Sequence, residues 1–167
     1  MARPNQNFPE GARAARSAAV LTVTSLDPSK NRLRAILQDQ NYRTLQARNV
    51  QDAVRQLRRR RVFMVVVDGD LSDGSWRDLL LEADRVPHSP LVVVTATHAD
   101  ELLWGEVLNL GGFDVLAQPF DECEIKRTAD SAWRHWQQQP AVVPEPAPVK
   151  AATAGAGGNW LVHSLSA

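Results

Sequence analysis

The sequence predicts one α/β domain, a doubly wound parallel sheet of five strands with helices on both faces. Three observations lead there. Five short apolar runs alternate with five segments of helical period along the middle of the chain. Three of those runs are nearly unbroken Val, Leu, Met and Phe rather than alternating, as strands covered on both faces require. The connections are short, which favours a three-layer arrangement of neighbouring elements.

In order, the run at 20–24 is followed by Asp27-Pro28, an N-cap with proline at the first helical position. Leu33, Ile36 and Leu37 then share one helical face. The weaker run 43–47 leads to a helix with Ala53, Val54 and Leu57 on one side, and the run 62–67 to one with Trp76, Leu79 and Leu80. After the run 91–94 come Leu103, Val107 and Leu110, closed by Gly111-Gly112. After 115–117, Asp121 and Glu124 form a capping-box pattern ahead of Ala129, Ala132, Trp133 and Trp136. The three tryptophans of the last two helices divide by expectation: Trp133 against the sheet, Trp104 and Trp136 toward solvent.

Residues 1–18, with Pro4, Pro9 and Gly11, read as a disordered N-terminal tail, and 19–136 as the domain. Residues 137–167 read as a Pro/Ala/Gly-rich linker ending in an apolar stretch, NWLVHSLSA. That stretch reads as disordered, with a short docking segment as the alternative. The chain has 19 Lys plus Arg and 19 Asp plus Glu, so no global charge draws it to nucleic acid or membrane. Cys123 is the only cysteine, which rules out a disulfide within the chain and suits a reducing compartment. No run approaches the ~20 apolar residues of a bilayer span, and the N-terminus lacks the apolar core of a signal peptide. A cytoplasmic protein is the expectation.

In a wound sheet, function sits at the carboxyl ends of the strands. Those ends carry Ser25 and Leu26, then Asp68, then Thr95, then Gln118. Four segments around them, VTSLDPSKNRLRAIL, VVVDGDLSDGSWRDLL, SPLVVVTATHADE and NLGGFDVLAQPFDECEI, occur in the order and spacing of a known family. Together they resemble the response-regulator receiver domain of two-component phosphorelay signalling. The resemblance implies the flavodoxin-like strand order 2-1-3-4-5 and a phosphoacceptor aspartate ending the third strand, which is Asp68. It implies Thr95 and the usual lysine position, Gln118, as phosphoryl-binding groups, and an aromatic switch position, here Val115. Magnesium would be held by an acidic pair, here Ser25 and Leu26, with Asp68 and the backbone carbonyl of Asp70. This chain departs from the pattern at the pair, the lysine and the aromatic. Leucine cannot ligate a hard cation that demands oxygen, so weak or absent magnesium binding is the expectation.

The resemblance further implies protein partners: a histidine kinase or phosphotransfer protein and a downstream effector, met through the fourth and fifth helices, with a homodimer also compatible. A stand-alone, non-enzymatic receiver acting by protein contact is the leading reading. The alternative is a nucleotide- or flavin-binding enzyme on the same sheet. It wants glycines after the first strand, and TSLDPSK has none. Blander roles stay open for single residues: Asp68 as a loop cap, Thr95 as a β-branched strand residue, Asp70 and Asp73 as turn formers, and Gln118 bonded to nearby backbone. Arg58–Arg61 reads as a solvated helix end complementing the dipole. His88, His98, His135 and His163 show no ligand spacing, and Cys123 has no base near it in sequence.

Overall fold

The structure, a computed structural model, describes residues 18–24, 29–69, 71 and 74–140. Its strands are β1 (Ala19–Val23), β2 (Arg43–Ala47), β3 (Val62–Asp68), β4 (Leu91–Ala96) and β5 (Asp114–Ala117). Its helices are α1 (Ser29–Asp39), α2 (Val50–Arg59), α3 (Trp76–Ala83), α4 (Glu101–Asn109) and α5 (Glu122–Gln138). All strand pairs are parallel, in the order β2-β1-β3-β4-β5. This is the doubly wound sheet that the alternating runs predict.

Alternate residues of the central strands feed two separate cores. Val20, Met64, Val66, Val93 and Leu116 pack on one face with α1 and α5, while Leu21, Val65, Val92, Val94 and Val115 pack on the other. The second face is covered by α2, α3 and α4 through Ala53, Leu79, Leu80 and Val107. A register shift between Ala19 and Val20 inserts an extra β3 residue, so Phe63 and Met64 both face the α1/α5 side. Phe63 centres an aromatic group there: Tyr42 at 5.4 Å, Trp133 edge-on at 5.1 Å and Trp136 at 6.4 Å between ring centres. Tyr42 in turn donates a hydrogen bond to Asp130 Oδ1 at 2.8 Å, tying the β2 entry to α5.

Side-chain oxygens cap four helices: Asn49, Ser75, Asp100 and Asp121 each accept a backbone N–H of the first turn. The reciprocal capping box is seen at Ser75 and Asp78, a site the sequence reading passed over. Asp27 and Pro28 lie outside the described residues. Helix α4 ends in a Schellman motif, with Gly111 at φ 93°, its N–H on Leu108 O and the Gly112 N–H on Val107 O.

Two packing expectations are corrected. Leu110 does not share the buried α4 face; it is 49% exposed, because the chain has already left the helix at its C-cap. Trp136 is not exposed either: at 7% it stacks on Trp133, and its indole N–H points to His88 O. A 17-residue helix carries its apolar stripe to its last turn. Trp104 is 38% exposed, as expected.

Candidate functional site

Strands β3, β4 and β5 end side by side, and Asp68, Thr95 and Gln118, the candidate site residues, stand at or next to those ends. Asp68 is the register partner of Thr95. The buried Thr95 hydroxyl lies 3.4 Å from Asp68 Oδ1 and donates toward it. A hydroxyl without water access must spend its proton on a neighbour, and the Asp68 carboxylate is that neighbour. Asp68 itself is half-buried.

The backbone beyond Asp68 is held by Gly69, whose N–H donates to Thr95 O at 2.8 Å. A Cβ on Gly69 would sit 3.2 Å from that same carbonyl, so glycine lets the loop leave the sheet hard against β4. Gly69 was not singled out from sequence; the only signal was a glycine directly after the strand-end aspartate. On the other side, the Gln118 N–H donates to Ala96 O at 2.9 Å, and the Gln118–Pro119 peptide is cis. Gln118 is partly exposed at the end of β5. Its amide can donate a hydrogen bond, but it brings no positive charge.

Val115 is buried in the core with Val94 and Val107. The β5 start is also pinned by Asp114, which accepts from Val115 N at 2.9 Å and from the Thr128 hydroxyl at 2.9 Å. A valine there fills the core and has no ring to turn between buried and exposed positions. The structure therefore gathers Asp68, Thr95 and Gln118 at one sheet edge and places Val115 beneath them. Ser25, Leu26 and Asp70 lie outside the described residues, as does His163.

The donor set fits a magnesium site poorly. Hard cations take six or more oxygens, mostly carboxylate, carbonyl and water. Among the described residues, no group of three His, Cys, Asp or Glu side chains could hold a metal ion. Of the two expected pair positions, Ser25 offers a neutral hydroxyl and Leu26 no side-chain oxygen. Asp68 is thus the only carboxylate of the expected pair-plus-aspartate set. Cys123 is exposed in the first turn of α5, five residues after Gln118.

A family model for the response regulator receiver domain matches residues 21–130. No curated protein matches the chain in sequence. Among solved structures, a "probable two-component system response regulator/GGDEF domain protein" superposes with TM-score 0.68 at 20% identity. That match covers 77% of this chain and 55% of the other, so the chain spans about half that protein's length. The signal receiver domain of an HD domain-containing protein from Pseudomonas fluorescens Pf-5 gives TM-score 0.65 at 24% identity, over 73% of this chain and 90% of that one. The receiver domain of a sensor histidine kinase from Pseudomonas aeruginosa PAO1, with magnesium coordinated in its active site cleft, gives 0.60 at 22%. It covers 71% and 98% of the two chains. At such identities the structural likeness speaks for the fold.

Proposed function

The chain belongs to the response regulator receiver family of two-component signalling, and we propose that it is an atypical receiver whose output runs through protein contact with little or no phosphorylation. Receivers are signalling modules that meet kinases, phosphotransfer proteins and effectors. Residues 19–136 form this module in our reading, with Asp68 the candidate phosphoacceptor and Thr95 and Gln118 the groups that would face phosphoryl oxygens. The observation that carries the proposal is the site's asymmetry. Asp68 and Thr95 are kept in register at the strand ends, while Leu26, Gln118 and Val115 stand where a ligand, a cation and a moving ring would be needed. Phosphoryl transfer to a carboxylate depends on positive charge at the phosphoryl oxygens, and no side chain of this set supplies it. Magnesium binding should accordingly be weak.

Helix α4 is the partner surface we favour. It exposes Leu102 at 83%, Trp104 and Leu108, whereas Trp133 and Trp136 of α5 are core residues. Among the described residues no helix is long and apolar enough to cross a membrane, and a cytoplasmic location fits this reading. The test is incubation with acetyl phosphate and magnesium, read by intact mass. Little or no adduct is the expected result. A near-complete single phosphate adduct, lost in Asp68→Asn, would instead make the chain an ordinary phosphoacceptor.

A further inference from the structure

The other end of the sheet carries a basic pole. Arg58 and Arg59 close helix α2, Arg60 is its C-cap and Arg61 follows directly before β3. Arg58 shares Glu82 with Arg85, at 3.3 and 2.6 Å. No carboxylate among the described residues pairs with Arg59, Arg60 or Arg61. The Arg61 guanidinium is held 5.1 Å above the Trp136 ring, which fixes it in place and leaves its edge N–H groups available. Arg60, Arg61 and His88 line a shallow concavity whose other walls are apolar: Leu57, Val86 and Pro87.

The mixed lining decides what it fits. A phosphate backbone wants a broad cationic track, and three arginines, with no carboxylate partner among the described residues, beside an apolar wall do not make one. An acidic residue followed by an exposed apolar one matches both parts. The chain itself presents that pattern at the opposite end of the sheet. Asp100 and Glu101 start α4 and are exposed, and Leu102 behind them is 83% exposed. Exposed Asp121 and Glu122, at the start of α5, make that end acidic as well. The molecule is neutral overall, so its charge is separated rather than absent.

We propose that the arginine pole docks the Asp100-Glu101-Leu102 turn of a second copy of this chain, giving a head-to-tail association. Such a contact uses two different surfaces and does not close on itself as a two-fold dimer would. Opposite poles attract over a distance set by salt, about 30 Å at about 0.01 M and about 3 Å at about 1 M. The association is therefore steeply salt-dependent.

The test is sedimentation of the full chain and two variants. Arg59→Glu/Arg60→Glu reverses the basic pole and spares the Arg61–Trp136 contact. Asp100→Ser/Glu101→Arg reverses the acidic one and keeps a helix cap. At low salt the parent chain should grow in mass with concentration and return to monomer at high salt. Each variant alone should stay monomeric, and an equal mixture should associate again, because the unaltered pole of one meets the unaltered turn of the other and the two reversed surfaces are complementary in charge. If Arg59→Glu/Arg60→Glu fails to fold, Arg59→Gln/Arg60→Gln replaces it with the same expectation. A monomeric parent at low salt, association surviving in either variant, or a mixture that stays monomeric would each overturn the proposal. So would an oligonucleotide that binds the parent, but not the arginine variant, without any self-association.

Discussion

Trp104 and Trp136 sit on adjacent helices but should respond oppositely to truncation, and the contrast tests where the partner surface lies. Trp136 stacks on Trp133 at 5.6 Å, lies under Arg61, contacts His88 and is 7% exposed. Burying about 200 Å² of aromatic surface at about 25 cal/mol per Å² is worth about 5 kcal/mol. Trp136→Ala also leaves a cavity beside Phe63, so a loss of about 3–5 kcal/mol is expected. Trp104 belongs to neither core cluster and is 38% exposed. Its replacement opens no interior cavity and gains a better helix former, so about 1 kcal/mol or less should be lost. Urea melts of the two single variants measure both numbers. Trp104→Ala with Leu108→Ala should then weaken partner binding while the fold survives. A Trp104→Ala loss as large as that of Trp136→Ala would show that α4 packs its outer face, and the α4 surface would have to be abandoned.

Three further perturbations probe the site and the scaffold. Ser25→Asp, Leu26→Asp and Gln118→Lys together should restore phosphoryl uptake at Asp68 by acetyl phosphate with magnesium; a folded triple variant that gains no mass would show that the geometry has drifted as well. Gly112→Ala would set a Cβ 2.9 Å from Val107 O and into the Val107 side chain, so a loss of about 1–3 kcal/mol is expected, and an unchanged thermal melt would contradict the Schellman reading. The Tyr42 phenol is pushed above its usual value by burial and by its hydrogen bond to Asp130. The folded state thus keeps that proton at pH values where the unfolded chain has begun to lose it, and stability should fall as pH rises above about 10. Tyr42→Phe should flatten that alkaline limb in pH-dependent melts.

The fold was legible because each strand run and helix face is a local pattern with a burial consequence. The unbroken run 62–67 could only be covered on both faces, and β3 feeds both cores. The polar β2 run, Arg43–Ala47, was weak for the opposite reason: it is an edge strand, with most of its residues partly or fully exposed. Asp68 and Thr95 were legible as strand ends, and their mutual contact followed from register. Less legible were features set by three-dimensional proximity. Gly69 is needed because the Thr95 carbonyl lies close to it, which no spacing encodes. Trp136 was misjudged because the aromatic group around Phe63 draws on β2, β3 and α5 at once, while the helical period alone allowed either face.

The departures at the strand ends are consistent with one another in charge. A receiver pocket of the usual pattern holds three carboxylates and one lysine, a net of about −2 before a divalent cation neutralises it, and each carboxylate raises the cost of ionising the others. On the proposed reading, Ser25 and Leu26 at the pair positions remove two negative charges and Gln118 at the lysine position removes one positive, leaving Asp68 as the one acidic residue of that set. A half-buried carboxylate that accepts from Thr95 then meets no like charge within that set. Losing only the lysine would have left a pocket of like charges, and losing only the pair would have left an unneeded cation beside one aspartate. The set as a whole therefore suits a receiver that stays folded and competent for protein contact without metal or phosphate. On the proposed reading it also accounts for Val115, since a pocket that gains no phosphoryl charge has no signal for a moving ring to carry.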